Sequence, residues 1–151
     1  MHLFHDYLAY GIDSHKKLLH SKWTRPISHT ELREGLQHLV EVIYNHEIKL
    51  WLHHSMVLDT LSMQDLNWLK EVLSLLLVQS SLKQMAIVSD EESDQKRVGE
   101  SLREKSYRIF GKGVLVEFFP NTGLATAWLL PHLVNYRLPR IDDAAAQRTG
   151  F

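Results

Sequence analysis

Histidines are the residues with the most chemical potential here, ten in a chain of 151. An imidazole can act as a base, a nucleophile or a metal ligand near neutral pH, so their spacing is the first question. His2 and His5 stand three apart, and His53 and His54 are adjacent. A zinc or iron site needs several converging ligands, usually with a carboxylate among them. His46 and Glu47 begin a His-Glu pair, but the next histidine is His53, so the His-Glu-x-x-His spacing is not met. In a strand His53 and His54 would point to opposite faces, and one of them would line a pocket at the strand end. No metal centre and no cofactor are expected.

Other catalytic patterns fail on context. Gly111-Lys112-Gly113 precedes an apolar stretch, whereas a phosphate loop follows a strand and opens a helix. There is no Gly-x-Ser-x-Gly elbow. The chain has no cysteine, which excludes disulfides, thiolate metal sites and a cysteine nucleophile. His15, Lys16, Lys17, Lys22 and Arg25 surround Trp23. Basic residues around an aromatic can hold single-stranded nucleic acid, or they can be edge-strand lysines beside a core tryptophan. The net charge of −1 favours the second reading, and no nucleic-acid partner is expected.

The elements that must position these residues follow from periodicity. Residues 7–12 and 17–24 read as a β-hairpin turning at Asp13, Ser14 and His15. In its second arm Leu19, Ser21 and Trp23 face one way, and Leu18, His20 and Lys22 the other. Ser28 and Glu31 form a capping box. Leu32, Leu36, Leu39, Val40 and Ile43 then make one face of a helix ending near Asn45. Residues 48–52 are a short strand, followed by a loop through His53 and His54. Ser62 and Asp65 cap the next helix, whose stripe Leu66, Leu69, Leu73, Leu76 and Leu77 is widened by Trp68, Val72 and Leu75. A helix so apolar is deeply buried or meets a partner. Residues 84–88 and 114–119 are strands flanking a polar helix at about 91–110, and Asn121 or Thr122 caps a last short helix.

The expected fold is therefore a single α/β domain over 1–130. It has a mixed, mostly parallel five-stranded sheet, an opening hairpin and four helices in the order β-β-α-β-α-β-α-β-α. The tail 131–151 is expected to be loosely ordered or docked on a neighbour. The start lacks a basic segment leading into a long apolar one, and no apolar run approaches the roughly 18 residues of a spanning helix, so the expected location is the cytoplasm, away from membranes.

The segments HSKWTRP, SHTELREGL, KLWLHHSMVLDTLSMQDLNWL, QMAIVSD and VEFFPNTGLATAWLL, in this order and with Trp23, Trp51, Trp68 and Trp128 where they stand, resemble the STAS-like domains of the sulfate transporter and anti-sigma-factor antagonist group. The chain is most similar in style to small stand-alone bacterial members. The resemblance spans roughly residues 7–130 and implies a regulatory, non-enzymatic role. It also implies a phospho-acceptor at the start of the helix after the third strand, where Asp59, Thr60, Leu61 and Ser62 stand. Thr60 and Ser62 are the candidates. An anion there is favoured by the free N–H groups of the helix start, while Ser62 serves equally as a plain N-cap.

Ligands of open α/β sheets sit at the C-terminal ends of the parallel strands. That rule assembles a candidate rim from His53, His54, Ser55, Asp59, Ser89, Asp90, Asn121 and Thr122. Such a rim suits a protein partner, a second copy of the chain included, or a small polar ligand. The rival reading is a small enzyme that uses the same rim with His53 or His54 as base.

Overall fold

The computed structural model describes residues 1–54, 62–88 and 114–141. Its strands form one six-stranded sheet in chain order: β1 (His2–Phe4), β2 (Leu8–Asp13), β3 (Leu18–Trp23), β4 (Leu50–His54), β5 (Gln84–Val88) and β6 (Leu115–Phe119). β1, β2 and β3 pair antiparallel, and β3 through β6 are parallel. The mixed α/β sheet is the class expected, with one strand more. β1 has three residues, too few for alternation to show in the sequence. It is held by pairing to β2 and by Phe4 stacking on His38 with ring centroids 4.2 Å apart.

Helix α1 (His29–His46) starts where the capping box places it. The Ser28 hydroxyl accepts from the Glu31 N–H at 3.2 Å, and the Glu31 carboxylate accepts from the Ser28 N–H at 2.9 Å. Arg25 bridges Glu31 and Asp6 and so fastens the entry to the helix. After β4 come α2 (Met63–Trp68), a π-helical turn (Leu69–Leu73) and α3 (Ser74–Val78). The sequence reads this stretch as one helix, and the π turn changes which residues are covered. Leu73 and Leu77 are buried, while Val72 and Leu75, expected to widen the buried stripe, are exposed. Helix α4 (Thr122–Leu129) follows β6. The expected helix at 91–110 lies outside the described residues.

Alternation along the strands builds two cores, one on each sheet face. Leu19, Trp23 and Trp51 pack with Leu32, Leu36 and Ile43 of α1 and with Leu73 and Leu77. On the other face Leu18, Leu52, Ala86 and Val88 pack with Ala125 and Leu129 of α4. Tyr136 and Leu138 join this second core. Residues 131–141 thus run over the chain's own sheet, and residues 142–151 lie outside the described residues. The Tyr136 hydroxyl donates to Asp13 at 2.6 Å, and Pro139 lies over Gly11.

At Gly35 helix α1 packs closely on Trp23 of the sheet. A Cβ there would stand 2.7 Å from Trp23 Cζ3 and 3.2 Å from Tyr7 Cε2. Both rings are buried and have little room to retreat. Gly35→Ala is therefore expected to cost about 1–3 kcal/mol, despite alanine's better helix propensity, in urea unfolding.

Candidate functional site

The register of β3 against β4 is Ser21 opposite His53 and Lys22 opposite His54. Strand β4 extends through His54, two residues beyond its expected end, because both histidines stay paired between β3 and β5. His53 and His54 consequently leave the sheet on opposite faces, and they do not share one rim. His53 enters the α1 side and is buried, as is Ser21. The Ser21 hydroxyl accepts the Trp51 indole N–H at 2.8 Å and lies 2.7 Å from His53 Nδ1. Giving the serine proton an acceptor makes Ser21 the donor to Nδ1, which leaves the His53 proton on Nε2.

Among the described residues, Nε2 of His53 has no hydrogen-bond partner, and neither do Trp23 Nε1 and the Tyr7 hydroxyl, all of them buried atoms. Trp23 links the three residues. Its ring centroid is 5.3 Å from that of His53, edge to face, and 6.2 Å from that of Tyr7. Each of these groups can donate. Trp23 ends β3, His53 is the penultimate residue of β4, and Tyr7 leads into β2, whose first residue pairs with Trp23. They therefore lie at the C-terminal end of the parallel strands, where open α/β sheets take ligands.

A second polar group stands at the same end, at the starts of the crossover helices. Ser62 and Asp65 form a capping box: the Ser62 hydroxyl accepts from the Asp65 N–H at 3.1 Å, and Asp65 accepts from the Ser62 N–H at 3.3 Å. Asp65 also accepts from Nδ1 of His29, the first residue of α1. Burial opposes ionisation of Asp65, but the hydrogen bonds from His29 and Ser62 outweigh it and hold its carboxyl below the usual range. Its Oδ1 is buried, has no hydrogen bond among the described residues, and lies 4.0 Å from the Arg33 guanidinium. Arg33 in turn lies over the Trp68 ring.

The remaining candidates fall as follows. Ser55, Asp59, Thr60, Ser89 and Asp90 lie outside the described residues. Asn121 is the N-cap of α4, accepting from the Leu124 N–H at 2.9 Å, and Thr122 is the helix's first residue. Both stand beside the sheet face opposite His53. The sequence shows Ser21 as a polar residue on an otherwise Leu and Trp face, which is the available signal for its buried partner. No local spacing pairs His29 with Asp65, 36 positions later.

Burial, with smaller contributions from His54 and His20, pushes His53 down to about 3. A base needs a pKa near the working pH, so His53 is poorly suited to that role near neutrality. The shift also has a stability consequence. Unfolded histidine takes up a proton below about 6.5, while folded His53 resists it. Stability contributed this way is full above about 6.5 and is lost as pH falls toward about 3, with a slope of up to about 1.4 kcal/mol per pH unit. Unfolding free energies measured across that range are expected to flatten by up to that slope in His53→Gln.

No protein-family model matches this chain, and no curated protein matches it. Its structure is similar to the crystal structure of an uncharacterized protein from the DUF3478 family with a SpoIIAA-like fold, from Shewanella loihica PV-4. The two share 20% sequence identity with a TM-score of 0.54, over 85% of this chain and 98% of that one. The likeness is one of fold, and it agrees with the STAS-like architecture read from the sequence.

Proposed function

We propose that this chain is a non-catalytic regulatory module that binds a small polar ligand at the C-terminal end of β3 and β4 and presents a partner surface on the π-helical turn and α3. The carrying observation is the cluster of buried, unpartnered donors on Tyr7, Trp23 and His53. A buried donor left without an acceptor costs about 1–3 kcal/mol, so an occupant that supplies acceptor oxygens gains most there. The donors are neutral at neutral pH: burial, and then Glu34 and Glu31, push the Tyr7 hydroxyl up against the opposing Arg25 guanidinium, which lies 5.4 Å from its ring, and burial holds His53 uncharged. An uncharged ligand with carbonyl or hydroxyl oxygens fits them better than an anion. The rival enzymatic reading is weakened by the burial of Ser21 and His53 and by the low pKa of His53.

The partner surface rests on a separate observation. Val72 of the π-helical turn and Leu75 and Val78 of α3 are exposed, on the helical stretch that α2 opens with Asp65 in its first turn. One helical stretch thus starts beside the polar group and carries an apolar face farther along, a layout by which occupancy at one end can alter binding at the other.

Two measurements test the parts. In the ligand-free protein, Tyr7→Phe removes a hydroxyl without a partner and is expected to leave thermal stability equal or higher. Native mass spectrometry of gently purified protein is expected to show a small bound mass that Trp23→Phe releases. A destabilised Tyr7→Phe together with no bound mass would mean that water fills the site, and the ligand reading fails. For the surface, light scattering over a concentration series is expected to show self-association that Leu75→Glu weakens at least about tenfold, the effect of burying an unpaired charge. A strict monomer, or association indifferent to Leu75→Glu, removes a second copy of the chain as the partner.

A further inference from the structure

The same register that buries His53 brings a second histidine pair together on the opposite face. His20 Nε2 lies 2.8 Å from His54 Nε2, with ring centroids 5.0 Å apart. His20 is buried and His54 is half-buried. The other nitrogen of His20, Nδ1, lies 2.8 Å from the Pro139 carbonyl oxygen. A carbonyl can only accept, so His20 carries its proton on Nδ1 and turns the Nε2 lone pair toward His54. A metal-binding histidine has this arrangement: one ring nitrogen anchored to a backbone carbonyl and the other fixed as the ligand.

We propose that His20 and His54 form a two-imidazole site for a divalent transition metal of the zinc, nickel and copper class. With one proton between them the two Nε2 atoms make a hydrogen bond. Moving the His54 proton to its Nδ1 leaves a lone pair on each Nε2, each facing the other nitrogen. Metal–nitrogen bonds of about 2.0–2.1 Å place two such atoms about 2.9 Å apart at a right angle and about 3.4 Å apart at the tetrahedral angle. From the observed separation the two nitrogens need to part by about 0.1–0.6 Å on those bond lengths, and both rings need to turn off the line joining them so that their lone pairs converge. The narrow angle suits nickel and copper, imidazole is a good ligand for all three ions, and hard magnesium is not expected to bind. Among the described residues no group of three or more histidine or acidic side chains surrounds a common point. The described residues thus supply two ligands, His20 and His54. The metal would replace the hydrogen bond as the link between β3 and β4 and fix the ring that grips the tail at Pro139.

Isothermal titration of the full chain with zinc and nickel tests the site, with magnesium as control. His2→Ala and His5→Ala are introduced first, because the start of the chain can bind such metals by itself. In that parent one equivalent of zinc or nickel is expected to bind, and magnesium is not. His20→Ala and His54→Ala are each expected to weaken binding at least about tenfold, the loss seen even for outer partners of metal sites. No binding to the parent, or binding unchanged by either substitution, overturns the proposal and leaves a proton-sharing pair. Where circular dichroism shows that a variant has lost its fold, the parent decides. Zinc is then expected to shift the Nε2 nitrogen resonances of both histidines in long-range proton–nitrogen spectra, and unshifted resonances overturn the proposal.

Discussion

The parallel register of β3 on β4 is the constraint on which the rest depends. Neighbouring residues of a strand leave on opposite faces, so Ser21 opposite His53 commits His20 and His54 to the other side. One pairing therefore creates two polar contacts in separate cores, the Ser21–His53 contact under α1 and the His20–His54 contact under the tail. A slip of one residue would move Trp51 out of the α1 core and strand its indole N–H, while bringing His54 in. The apolar pattern and the polar pairs specify the same register.

The polar groups on the α1 side are not spread evenly. Toward the sheet centre the Trp51 indole, the Ser21 hydroxyl and His53 Nδ1 satisfy one another. Toward the strand ends His53 Nε2, Trp23 Nε1 and the Tyr7 hydroxyl do not. Buried hydrogen-bonding groups are nearly always paired, so the unpaired ones are the informative ones. Their concentration at the end where the crossover helices begin also explains the position of the His29–Asp65 contact. It joins the first turns of α1 and α2, the two elements framing that end.

What could be read from the sequence follows the range of each signal. Both capping boxes, Ser28 with Glu31 and Ser62 with Asp65, act across three residues and are visible in the chain. Alternation in Leu18–Trp23 already separates Ser21 and Trp23 from His20. The end of β4 was less visible, since histidine is polar and carries no strand signal of its own, and pairing with two neighbours overrides that. The π turn is equally hidden, because a stripe of leucines at spacings of three and four reads as an uninterrupted helix. His20 with His54 and His29 with Asp65 are contacts across about 35 positions, set by register and helix packing, and a single sequence carries no pattern for them.

The tail also has a geometric reason. Six strands at about 4.8 Å spacing present a face about 24 Å wide. Helix α4 has eight residues and is about 12 Å long and about 10–12 Å across, so in either direction it cannot cover that face alone. It packs against β4, β5 and β6, which leaves the face of β2 and β3 to residues 131–141. There the glycine at position 11 is needed, since a Cβ would meet Pro139 Cβ at 2.8 Å and the Arg140 carbonyl oxygen at 3.1 Å. Side chains fasten the segment: Tyr136 to Asp13, and His20 to the Pro139 carbonyl. His20 thus serves two partners at once, the tail through Nδ1 and His54 through Nε2. A change in what occupies the space between the two histidines reaches the tail through the His20 ring, so the covering of this face and the state of the pair are physically coupled.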